Sequence, residues 1–141
     1  MESPTSEYIL LFRGTDWGKD LSPQEIQNVM GQFNHWMERL SQHGKLKVGQ
    51  PLAPKGKIVS GKTTRTVADG PFAESKEAIG GYWLLKVEDF DEAVKIAEEC
   101  PLLNYGSSIE VRPVLEKCAH MQWFDEHAAE VSALTYEQVS G

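Results

Sequence analysis

Hydrophobic residues fall in blocks whose period changes along the chain. Tyr8-Ile9-Leu10-Leu11-Phe12 is a continuous apolar run closed by Gly14, Asp16 and Gly18, the pattern of a strand buried on both faces. Ser22-Pro23-Gln24-Glu25 predicts a helix start, with Ser22 as N-cap, Pro23 at the first helical position and Glu25 completing a capping box. Ile26, Val29, Met30, Phe33, Met37 and Leu40 then recur at three- and four-residue spacing as one stripe, and Gly44 follows the last turn. Leu46–Gln50 reads as a short strand ending at Pro51, and Lys57–Ser60 with Thr63–Val67 as a hairpin turning at Ser60-Gly61-Lys62. Asp69-Gly70-Pro71 predicts a turn. Gly81–Val87 is a strand apolar on both faces. Asp89 caps a shorter helix with the stripe Phe90, Ala93, Val94 and Ala97, and Pro101 lies beyond its end. Ser108–Val114 is the last strand of the main body.

Each half of this order contributes a strand, a helix and a strand, the split βαβ pattern of a ferredoxin-like α+β sheet. Both helices then lie on one face. Tyr8–Phe12 and Tyr82–Leu85 need cover on the other face as well, and the body has no helix left for it. A second copy of the chain is the economical cover, so the expectation is a homodimer packed sheet face to sheet face, a dimeric α+β barrel. Residues 1–116 form this domain. Residues 117–141 form a C-terminal extension in which Met121, Phe124, Ala128, Val131 and Leu134 keep helical spacing beside Trp123. A helix this short is marginal alone in water, so it is expected to dock on the body or a neighbouring chain, or to recognise a partner.

Composition narrows the function. The 141 residues suit one domain, with 14 basic against 21 acidic side chains and a net charge of −7, which argues against a nucleic-acid backbone or an anionic membrane as partner. No signal peptide is visible at Met1-Glu2-Ser3-Pro4, and the longest uncharged stretch, Ile26–Met37, is too short and polar to span a bilayer. Cys100 and Cys118 make no disulfide framework, so a cytoplasmic location with reduced thiols is expected. Cys118-Ala119-His120, Asp125 and His127 supply ligand types without metal-site spacing. His43 beside Gly44 reads as a helix-terminal residue. No nucleotide-binding or serine-hydrolase motif occurs, and neither a metal nor a cofactor is expected.

Two constellations carry candidate chemistry. In Asp69-Gly70-Pro71-Phe72-Ala73-Glu74-Ser75-Lys76-Glu77, followed by Gly80-Gly81-Tyr82, Asp69 either caps a turn or serves as a carboxylate at a pocket mouth. In the last strand, Glu110 and Arg112 alternate with Ile109 and Val111 and share a face. With Ile109 and Val111 against the helices, that pair points into the dimer interior, where Lys86 and Arg13 can join it. Such a cluster suits a small anionic or phenolic ligand, or else a salt-bridge network that sets dimer register.

The nine-residue block, Gly80-Gly81-Tyr82 and the segment Gly106–Val114 resemble DGPF-domain proteins of the YCII-related family over roughly Tyr8 to Leu115. Ser75 stands where many members carry threonine. The resemblance implies a ferredoxin-like protomer in a dimeric α+β barrel, a bacterial source and unassigned biochemistry. Some such proteins are linked with extracytoplasmic-function sigma factors, and some YCII-like relatives are proposed enzymes using a His–Asp pair. The family histidine maps to Phe33, with His35 about 200° further round the helix, and the family aspartate maps to Cys100. Cys100 itself, at a helix C-terminus after Glu98 and Glu99, is expected to be an inert packed thiol. The expected function is small-molecule binding in a dimer cleft. If there is a reaction, it is of lyase or isomerase type, with Asp69 as base and Arg112 and Lys76 holding anionic groups. The competing expectation is a non-catalytic regulatory accessory working through the segment around Trp123 and Phe124.

Overall fold

In the computed structural model, which describes residues 6–72, 75, 77–116 and 119–132, the apolar runs and stripes build one antiparallel sheet under two helices. Strand β1 (Ser6–Arg13) leads through a turn to helix α1 (Pro23–Gln42). Ser22 Oγ accepts the Glu25 backbone N–H at 3.2 Å and Glu25 Oε1 accepts that of Ser22 at 3.5 Å, so the capping box forms. Strand β2 (Leu46–Pro51), the hairpin β3 (Lys57–Ser60) and β4 (Thr66–Asp69), strand β5 (Ile79–Val87) and helix α2 (Phe90–Glu98) follow. Asp89 caps α2 by accepting the Glu92 N–H at 2.8 Å. A 3-10 turn (Pro101–Tyr105) leads to strand β6 (Ser108–Pro113), and two helices in the extension, α3 (Ala119–Glu126) and α4 (Ala128–Ser132), complete the order.

The main sheet runs β2-β5-β1-β6 with every neighbouring pair antiparallel. β5 separates β1 from β2, and β1 separates β5 from β6, which is the split βαβ arrangement of a ferredoxin-like fold. The helices cover the face presenting Tyr8, Leu10, Phe12, Trp83, Leu85 and Val87, and these residues pack with Val29, Trp36 and Leu40 of α1 and Ala93, Ile96 and Ala97 of α2. Ile109 and Val111 of β6 join this side. The opposite face alternates in register. Ile9, Leu11, Tyr82 and Leu84 are half-buried there, outside the core that α1 and α2 cover.

Two local expectations are corrected. The second hairpin strand is Thr66–Asp69 instead of Thr63–Val67, because Arg65 Nη1 donates to the carbonyls of Gly61 (2.6 Å) and Lys62 (3.2 Å) and closes a longer loop. Asp69 therefore ends a strand opposite Lys57 instead of opening a turn. Trp36 also belongs to the buried side of α1, 3% exposed, whereas Met30 at 36% lies at the edge of the stripe. The Trp36 ring packs against Trp83 with centroids 4.5 Å apart and planes tilted by 34°. Its buried Nε1 meets no acceptor among the described residues.

Candidate functional site

Where β1, β2 and β5 run out beneath α1, the aromatic core opens into a cleft of about 500 Å³. That volume lies in the ordinary range for a small-molecule pocket. Phe12, Phe33, Trp83 and Trp17 give it aromatic walls, Met30 and Met37 close the α1 side, and Gln50, Leu52 and Pro54 form the rim on the β2 side. The rings are mutually arranged edge-on or tilted: Phe12–Trp83 centroids are 5.2 Å apart, Phe33–Trp83 5.3 Å and Phe12–Phe33 5.9 Å.

Backbone crowding explains the glycines at the cleft base. A Cβ on Gly81 would lie 3.0 Å from the Gln50 carbonyl oxygen, and one on Gly49 would fall on the Trp83 indole. These close approaches let β2 and β5 pair while the Trp83 indole packs against Gly49. The Gly80-Gly81-Tyr82 motif thus serves the cleft floor, with Tyr82 also on the lining.

Polar groups on the lining are few and mostly uncharged: Thr15, Asn34, Gln50, Tyr82 and Ser107. Ser107 Oγ donates to the Gly14 carbonyl at 3.0 Å, tying the loop after β1 to the segment before β6. Arg13 is the one charged residue among the described lining residues, and it is already engaged. Its Nη2 and Nε donate to Glu110 Oε1 at 2.7 and 3.2 Å, and Nη1 donates to the Glu77 carbonyl at 3.3 Å. Arg112 Nε stands 3.7 Å from the other oxygen of Glu110.

Of the residues singled out from sequence, Arg13, Glu110 and Arg112 therefore meet, at the open-face end of β1 and β6. Lys86 lies on that face as well, exposed and in register with Glu7, and Glu7 accepts a hydrogen bond from Lys47 at 3.0 Å. Asp69 does not join them. It sits at the hairpin base, its Oδ1 accepting from Lys57 Nζ at 2.7 Å, with both side chains exposed. A shallow depression of about 610 Å³ there is lined by Pro54, Lys55, Gly56, Lys57, Asp69, Gly70, Pro71 and Phe72. Lys76 lies outside the described residues.

Phe33, at the position where the family resemblance places a histidine, faces the cleft. His35 lies in a separate open groove beside α1, near Trp36, Arg39 and Glu99. Cys100 is buried in the core at 3% exposure, and that burial pushes its thiol above the ordinary range despite hydrogen bonds from the Leu102 and Leu103 backbone. It is a packed core thiol. The cleft as a unit was missed from sequence, although Phe33, Met30 and Met37 stood in the apolar stripe of α1 and Trp83 in a strand expected to be apolar on both faces.

Among the described residues no helix is long and apolar enough to cross a membrane, and no group of three or more His, Cys, Asp or Glu is arranged around a common metal position. A family model for the YCII-related domain matches residues 8–117. The chain is similar to an uncharacterized protein of Rhizobium meliloti (strain 1021), 32% identical over 99 residues that make up 66% of this chain and 78% of that protein.

Proposed function

The chain belongs to the YCII-related family, and on that footing we propose that it binds a small, uncharged aromatic molecule in the cleft under α1. The observation that carries this reading is the lining. Five aromatic rings, Tyr82 among them, and two methionines surround about 500 Å³, and Glu110 already neutralises the one cation that reaches the described lining. Among the described lining residues a carboxylate ligand finds no unengaged positive charge, whereas a phenol finds ring stacking and the Asn34, Gln50 and Tyr82 handles. No carboxylate, imidazole or thiol stands among the described lining residues, so the reading is of binding and not of proton abstraction.

A thermal-shift series tests it with phenol, a dihydroxybenzene and benzoate against wild type and Met30→Trp. Met30 is 36% exposed at the cleft side of α1, so the larger ring fills the cleft without invading the core. At a hundred times its dissociation constant a ligand adds about 2.7 kcal/mol, or about 8 °C for a chain of this length. The neutral phenols should raise Tm in wild type and not in Met30→Trp. Stronger stabilisation by benzoate, or a shift that survives Met30→Trp, overturns the proposal.

A further inference from the structure

The cleft under α1 has room for more than one aromatic ring. A sealed cavity of about 150 Å³ with apolar walls is enough for benzene, and this cleft encloses about 500 Å³. Its α1 wall runs from Met30 past Phe33 and Asn34 to Met37, a length of about 10 Å along the helix. A single ring leaves much of that wall uncovered, whereas two fused rings match it. The wall rings also favour a flat occupant. Phe12 and Phe33 cross at 67°, Phe12 and Trp83 at 72°, Phe33 and Trp83 at 53° and Phe33 and Trp36 at 72°. None of these contacts of Phe12 or Phe33 is a parallel stack, so a planar ligand supplies the offset-stacked partner that the described residues do not.

Polarity is graded across the same cleft. Its buried lining is Phe12, Gly81, Trp83 and Leu102, which carry no hydroxyl, side-chain amide or charge. Ser107, half-buried, already donates its proton to the Gly14 carbonyl. Asn34 and Gln50, by contrast, are exposed at the mouth. A ligand hydroxyl carried to the buried lining loses its water without gaining a side-chain partner, which is costly. One held at the mouth meets amides that both donate and accept. We infer that the ligand of this cleft is a fused two-ring aromatic whose hydroxyl or carbonyl groups lie on one edge, the rings against Phe12, Phe33 and Trp83 and the polar edge at Asn34 and Gln50. This ligand class rests on the binding proposed above, and adds to it the size of the molecule and the placement of its oxygens.

Three neutral probes separate size from placement: catechol, the naphthalenediol with adjacent hydroxyls on one edge, and its isomer with one hydroxyl at each end. Isothermal titration calorimetry measures each on wild type and on the double variant Asn34→Leu, Gln50→Leu. Both positions are exposed, and far-UV circular dichroism confirms that the variant is folded. In wild type the adjacent diol should bind about tenfold or more tightly than catechol, because the second ring adds buried apolar area. It should also bind about tenfold more tightly than its isomer, which takes an unpaired hydroxyl inward. The isomers share one composition, so general attraction to apolar surfaces does not separate them. In the double variant they should bind alike. Catechol binding as tightly as the adjacent diol overturns the two-ring class and leaves aromatic binding in the cleft standing. Isomers of equal affinity in wild type, or a preference that survives the double variant, overturn the placement of the polar edge. Binding of none of the three overturns both the ligand class and the proposed binding itself.

Discussion

Replacing Gly49 by alanine adds one methyl group where the structure leaves no room for it. Gly49 stands opposite Trp83 in the β2–β5 register. Its Cβ would fall on Trp83 Cδ1 inside van der Waals contact, with Nε1 at 3.0 Å and Cγ at 3.2 Å. The ring has nowhere to go, since it is 4% exposed and packed at 4.5 Å from Trp36, 5.2 Å from Phe12 and 5.3 Å from Phe33. Overpacking of this kind costs about 1–3 kcal/mol. Against it stands a gain of about 0.4–1 kcal/mol from restricting the unfolded chain, so Gly49→Ala should lose about 0.5–2 kcal/mol net. Gly31 is the control. It lies mid-helix in α1 and an added Cβ there meets nothing within 4 Å, so Gly31→Ala should gain about 1 kcal/mol from helix propensity. Urea titrations followed by far-UV circular dichroism should show the midpoint falling for Gly49→Ala and rising for Gly31→Ala, with unchanged slopes. A Gly49→Ala protein as stable as wild type would refute the packing of Trp83 on β2. Equal shifts in the two variants would show that backbone entropy, and not local space, sets the sign.

Other outcomes follow from the described contacts. Ser22→Ala removes the oxygen that accepts the Glu25 N–H and should cost about 1 kcal/mol in denaturant. Adding Glu25→Ala should then cost little more, because the two act as one box. Glu110→Gln leaves Arg13 without its carboxylate, but the two side chains are 29% and 35% exposed, so thermal melts should change by less than about 1 kcal/mol and lose part of their salt dependence. Cys100 binds its proton more tightly when folded than unfolded, because burial raises its pKa. The unfolded state therefore holds fewer protons above the ordinary thiol range, and stability should fall as pH rises from about 8.5 toward the raised native value. Cys100→Ala should lack that component of the decline in denaturant melts taken across the same pH range.

Local signals made most of the fold legible. A capping box, a Gly stop and one stripe are near-sufficient to place α1, and the strand–helix–strand order repeated twice leaves few sheet orders open. Alternation in β6 also put Glu110 and Arg112 together on one face, because period two needs no knowledge of tertiary contacts. The hairpin loop was misplaced because its closure depends on Arg65 bonding back to Gly61 and Lys62, a side-chain effect that turn residues alone do not signal. Trp36 was passed over although it stands seven residues after Val29 and four before Leu40. The cleft was not legible at all. Its walls come from β1, α1, β2, β5 and the segment between α2 and β6, and only the sheet register brings Gly49 under Trp83. Leu134, expected on the tail stripe, lies outside the described residues.

The close pair Trp36–Trp83 has an optical consequence. Two indoles 4.5 Å apart and tilted by 34° are close enough for their electronic transitions to mix, giving a dichroic contribution that depends on both rings holding their native orientation. Trp83 lines the cleft, whereas Trp123 lies on α3 and is 48% exposed. Occupation of the cleft should therefore be read in that dichroic signal, and the surroundings of Trp123 in the difference between the emission of wild type and of Trp123→Phe, since Trp17 and Trp83 emit from the cleft itself.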